Sequence, residues 1–139
     1  MFYPRALAQL VTITPGDPVA INSATNLMNG LGVTWTLTPQ ASGRVLMFLS
    51  GNLVENAATQ TASLRLAYGT GVAPANAAAS AGTLVGGVLS WITLASQLTI
   101  PFSMSTIVSG LTVKTAYWFD IASNSSAGTI QMTNLNAWA

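Results

Sequence analysis

Chemistry in this chain would have to come from three carboxylates, Asp17, Glu55 and Asp120, because the sequence contains neither histidine nor cysteine. Two carboxylates brought together in space could hydrolyse a glycoside, one as acid and the other as base or nucleophile. Their settings argue against it. Asp17 lies in the turn Pro15-Gly16-Asp17-Pro18, Glu55 follows the end of an apolar run, and Asp120 falls inside a strand-like segment. Without imidazole there is no Ser-His-Asp arrangement and no histidine metal site. Without thiols there is no disulfide, no thiolate ligand and no clue to redox compartment. Calcium asks for several oxygen ligands with closely spaced carboxylates, and Asp-x-Asp spacing is missing. The expectation is a non-enzyme with no catalytic residue, no cofactor and no metal.

Glycine is the second candidate chemistry. Tyr68 to Gly87 reads YGTGVAPANAAASAGTLVGG, uncharged and rich in Gly and Ala. A dinucleotide fingerprint would need its third glycine where Pro74 stands, and a P-loop would end in Gly-Lys-Ser/Thr. No helix pattern follows to present an N-terminus to phosphate. The segment therefore reads as a connection between strands, its glycines admitting positive φ.

Aromatic platforms are the third. Trp35, Trp91, Trp118 and Trp138 could stack sugars or bases, but four scattered cations, Arg5, Arg44, Arg65 and Lys114, make no basic groove, so nucleic acid is not an expected partner. On alternating strands the tryptophans read as core. Trp118 lies opposite the Tyr117-Phe119-Ile121 face, so it belongs either to the second face of a doubly buried strand or to a partner contact. Asn124-Ser125-Ser126 matches a glycosylation sequon, with no secretory signal to give it meaning.

The elements that would position these residues are strands. Val33, Trp35 and Leu37 alternate with threonines, and Leu98, Ile100, Phe102 and Met104 alternate with Thr99, Pro101 and Ser103. Leu64, Leu66 and Tyr68 share a face. Such two-residue periodicity marks strands with one face on a core. Strands are predicted at about 7–14, 32–38, 44–52, 61–68, 87–95, 97–108, 114–123 and 128–138, with residues 69–83 the one long irregular segment. With no helix pattern, the fold class is all-β, a two-sheet antiparallel β-sandwich that suits a jelly roll of about eight strands.

At 139 residues the chain fits a single domain, 1–139, with residues 1–6 as a possible N-terminal arm. Half the residues are hydrophobic, and 5% are charged against about 25% in a typical soluble domain. Such a surface suits a protein packed against other subunits. Residues 66–113 carry no charge, yet the most apolar window, Leu84 to Ile100, is broken by Gly86, Gly87, Ser90 and Gln97, so no membrane span is expected. Phe2-Tyr3-Pro4-Arg5 opens the chain with two aromatics that would pack either on their own domain or on a neighbour.

The second half carries a family likeness. Tyr68-Gly69-Thr70-Gly71 with Pro74, Gly82-Thr83, Pro101-Phe102, Gly110-Leu111-Thr112, Tyr117-Trp118-Phe119-Asp120-Ile121 and Gly128-Thr129-Ile130 occur in that order. Over residues 44–136 the pattern resembles the jelly-roll capsid decoration, or cement, proteins of tailed bacteriophages, those of Bordetella phages in particular. Where such proteins often place a Pro-Gly turn, this chain has Val113-Lys114. The resemblance implies a structural protein on the outer capsid surface of the virion, made in the bacterial cytoplasm. Its partners would be the phage major capsid protein and a second copy of itself, a dimer being favoured over a trimer. Candidate interface residues are Phe2, Tyr3, Arg5, Gly69, Gly71, Ala77, Ala78, Ala79 and Trp118. The alternative is a phage tail or fibre module that binds host glycan.

Overall fold

The computed structural model describes residues 10–92 and 98–139. It is an all-β sandwich of two antiparallel sheets, ordered β1-β9-β4-β7 and β2-β8-β5-β6, with β3 also paired to β8. The strands are β1 (Thr12–Ile13), β2 (Leu27–Met28), β3 (Thr36–Leu37), β4 (Val45–Glu55), β5 (Thr61–Gly69), β6 (Thr83–Ile92), β7 (Leu98–Val108), β8 (Tyr117–Ser125) and β9 (Ile130–Trp138). The pairs β5·β6, β4·β7, β2 and β3 with β8, and β1·β9 nest around the segment 70–82. That nesting is a two-stranded ribbon rolled onto itself, the jelly-roll order. Segment 70–82 is the tip of the ribbon.

Alternation decides which residues enter the core. Val45, Met47, Leu49 and Leu53 of β4 face Leu64, Leu66, Phe119 and Ile121 of the other sheet, all buried. Trp35 and Phe119 pack with ring centroids 5.7 Å apart at the centre of this layer. Opposite Ser50 to Asn52 of β4, β9 carries one extra residue at Asn134–Leu135, a bulge that shifts the β4·β9 register and returns Leu135 and Ala137 to the inward side.

Several predicted boundaries move. The strand expected at 32–38 is a short 3₁₀ turn, Leu31–Val33, followed by the two-residue β3. Val33 is consequently exposed while Trp35 and Leu37 are buried. Two-residue alternation can be read into a turn because the apolar residues on either side of it supply the period. The strand expected at 7–14 contains β1 at Thr12–Ile13, its residues 7–9 lying outside the described part. β6 starts at Thr83 rather than 87, so Gly86 and Gly87 are strand residues. Gly86 sits at φ +71 in a bulge, and a Cβ there would come 3.2 Å from Thr106 Cβ. At Val113-Lys114 the chain does turn: Lys114 takes φ 64 and its N–H donates to Pro39 O at 2.7 Å. A Val-Lys pair thus makes the turn for which a glycine would be the unstrained choice.

Candidate functional site

The three carboxylates occupy three different layers. Asp17 is exposed, and its Oδ1 accepts the Asn134 N–H at the edge of β9. Glu55 points inward from the end of β4, fully buried, with no hydrogen-bond partner on either oxygen among the described residues. Asp120 lies on the outer face of β8, also fully buried. No group of three or more potential metal ligands occurs among the described residues.

Asp120 has a structural task. Its carboxylate accepts N–H groups from Gly30 (3.0 Å), Leu31 (3.1 Å) and Ile121 (2.7 Å). The first two lie where the chain turns through Gly30, φ 74, into the 3₁₀ turn. Burial raises the Asp120 pKa to about 6, against the pull of these N–H donors toward the ionised form. The side chain ties the 29–31 segment to the outside of β8 rather than facing a cleft.

Glu55 offers a simple test. A buried carboxylate without a partner is costly. Replacing it with methionine, similar in reach and apolar, is expected to raise the unfolding free energy by about 1–3 kcal/mol in a urea titration.

The sequence-predicted interface residues fall into two groups. Phe2, Tyr3 and Arg5 lie outside the described residues. Gly69 is the last residue of β5, and Gly71, Ala77, Ala78 and Ala79 belong to the ribbon tip, which folds back on its own sheet. Met28 N–H donates to Ala78 O (2.9 Å), Ala77 N–H donates to Met28 O (2.8 Å), and Leu27 bridges Ala79. Ala77, at φ 62, and Ala79 remain exposed on the outer side, as does Gly71. Trp118 is buried beneath this cover with Met28, Ala67 and Ala122, flanked by Ala73 and Leu84. Its indole N–H donates to Thr70 O at 3.2 Å. Of the two alternatives for Trp118 the structure gives the doubly buried strand, and contact with a partner is corrected: the ribbon tip already occupies that face. Gly69 and Gly82 make room for the ring, since a Cβ at either would come within 2.4 Å or 2.5 Å of Trp118 atoms.

With the β8 side of one sheet covered, the outer face of the other is the open one. Its outward residues are Leu46, Phe48, Ser50, Asn52 and Val54 on β4, Thr99 to Ile107 at alternate positions on β7, and Gln131, Thr133, Asn136 and Trp138 on β9. None is charged. Leu46 and Ile107 are cross-strand partners exposed by 57% and 56%. Beside them Phe48 stacks on Trp138 with centroids 4.5 Å apart. The patch was missed among the sequence candidates, although Val45-Leu46-Met47-Phe48-Leu49 carries its signal: an unbroken apolar run is apolar on both faces of a strand.

A cleft of about 220 Å³ opens between β6 and β7, lined by Leu66, Leu89 and Met104, with Ser103, Ser105 and the Gly86-Gly87 bulge. It offers no ionisable group. What this geometry can do is bind by shape and apolar contact.

The fold and surface define a class, a jelly-roll β-sandwich with an uncharged open sheet. No protein-family model, curated protein or solved structure matches the chain.

Proposed function

We propose that the chain is a structural virion protein that binds the outside of a tailed-phage capsid and cements contacts between major capsid protein subunits. The observation that carries this reading is the open, uncharged outer face of β4, β7 and β9. It is a surface suited to subunit packing, since interface centres are depleted in charge. The jelly-roll order and the positions of the family-like motifs agree with it. Gly69 and Gly82 clear the Trp118 ring, and Tyr117 to Ile121 form the doubly buried strand. The glycan-binding alternative draws on exposed tryptophans, and the burial of Trp35 and Trp118 leaves it only the half-buried Trp91 and Trp138.

Purified protein at micromolar concentration is expected to co-sediment with expanded, undecorated capsids in a fixed ratio. Binding should change little as salt is raised, because few charges are available to be screened. Protein left in the supernatant, or binding that collapses with salt, would refute the proposal.

A further inference from the structure

We infer that the free edge of β7, with the cleft beside it, receives an extended, uncharged segment of another protein as an added strand. The inference holds whether or not the protein decorates a capsid.

The backbone sets the chemistry of the occupant. β6 and β7 each end a sheet. The β4·β7 register runs unbroken from Val45↔Val108 to Glu55↔Leu98. Along such a pair, every second residue turns its N–H and C=O away from the partner strand. Pro101 has no N–H to give β4 and belongs to that outward set. Ser103, Ser105 and Ile107 share its phase, so they present a row of N–H and C=O groups to whatever lies beside β7. Another extended backbone matches such a row, and strand addition is the recognition mode that uses it.

Open edges are ordinarily guarded by charge, proline or a bulge. β6 is guarded: Gly86 to Val88 bulge out of its pairing with β5, between Leu66↔Val85 and Leu64↔Leu89. β7 has only Pro101, near its start, and residues 102–108 beyond it carry no charge. An unguarded, neutral stretch admits a neutral segment without repulsion.

The cleft supplies selectivity. It opens between β6 and β7 beside Ser103 and Ser105, with Leu66, Leu89 and Met104 on its walls. Val85, Leu89 and Trp91 of β6 pack against the core yet are only half-buried, so the core is incompletely covered along this side. A strand added to β7 would direct alternate side chains into that gap. Its volume of about 220 Å³ exceeds the roughly 150 Å³ that houses benzene, which leaves room for one leucine or phenylalanine side chain. The β7 of a second copy does not supply it, since Phe102 and Met104, its inward residues, are already buried in their own core.

Amide exchange on the full chain, followed residue by residue by NMR, tests the idea. In the free protein the Ser103 and Ser105 amides should exchange about tenfold or more faster than those of Phe102 and Met104, which face β4. A blocked peptide of alternating threonine and valine with one central leucine, at millimolar concentration, should slow those two amides severalfold. The same peptide with aspartate in place of leucine should slow them far less. Ser103→Pro, which repeats on the edge what Pro101 already does, should abolish the effect. Leu46→Lys, on the outer face of β4, should leave it intact. Should the Ser103→Pro variant fail to fold, the two peptides on the wild-type chain still decide. Ser103 and Ser105 amides already protected in the free chain overturn the inference by giving the edge to the chain's own residues. Protection that rises with protein concentration alone overturns it by giving the edge to a second copy. So does a peptide without effect, one whose aspartate form acts equally well, or binding that survives Ser103→Pro or is lost with Leu46→Lys.

Discussion

Trp118→Ala is expected to lower the unfolding free energy by about 3–5 kcal/mol, the range for deleting a large buried aromatic side chain. The loss should be largest in the cover of β8. Trp118 fills the space between β8 and the ribbon tip, against Met28, Ala67 and Ala122, and its N–H holds Thr70 O. With the ring gone, the 70–82 segment keeps its backbone bonds to Met28 but loses the body it was laid over. Urea unfolding measures the first effect. Hydrogen exchange at Ala77, whose N–H bonds Met28 O at 2.8 Å, measures the second and should accelerate more than exchange in β4. A variant with wild-type stability would mean that the Trp118 ring is not what holds the cover on β8. Gly69→Ala sharpens the test. Its Cβ would come 2.4 Å from the Trp118 ring, so the change should cost about 1–3 kcal/mol in the wild-type chain. In the Trp118→Ala background it should cost far less, because the two positions share one space.

Asp120→Ala is expected to destabilise the protein by about 1–3 kcal/mol at neutral pH, since the Gly30 and Leu31 N–H groups lose a buried acceptor. The pH dependence identifies the carboxylate. With the folded pKa raised from 3.8 to about 6, the native state binds more protons than the unfolded chain between those values. Stability contributed by this group is therefore greatest below about pH 4 and falls as pH rises through about 6, by no more than about 3 kcal/mol. The difference between wild type and variant should thus grow on going from pH 7 to pH 4. Urea titrations at pH 4, 5, 6 and 7 would check it. A difference that is constant with pH, or that shrinks on acidification, would remove Asp120 as the titrating anchor.

Both residues show how a decoration role would be built on a charge-poor chain. Asp120 is one of only three acidic residues, and it holds backbone rather than ligand. The polar chemistry of the domain is thereby directed inward, to fastening the segments around Gly30 and Met28 over one sheet. The outer face of the opposite sheet is left with serine, threonine, asparagine, glutamine and apolar side chains. Under the proposed function, that division assigns one face of the sandwich to its own chain and leaves the other to the capsid.

Alternating residues such as Phe102-Ser103-Met104-Ser105 and Tyr117-Phe119-Ile121 determined by themselves that the chain forms strands with a shared core, because strand side chains reverse direction at every residue. The missing histidine and cysteine likewise determined which chemistries have no reagents. Tertiary structure alone decided the rest. Trp118 and Leu46 both lie on outward positions of strands, and local sequence gives no way to tell them apart. One is buried because a distant segment, residues 70–82 at the tip of the ribbon, folds back over it; the other is exposed because none of the described segments does. The Leu31–Val33 turn escaped for the same reason, since its stabilising acceptor, Asp120, is supplied by a strand about ninety residues downstream. Burial on the outside of a sheet depends on which distant segment covers it, and that information is carried by the packing, not by the period of the strand.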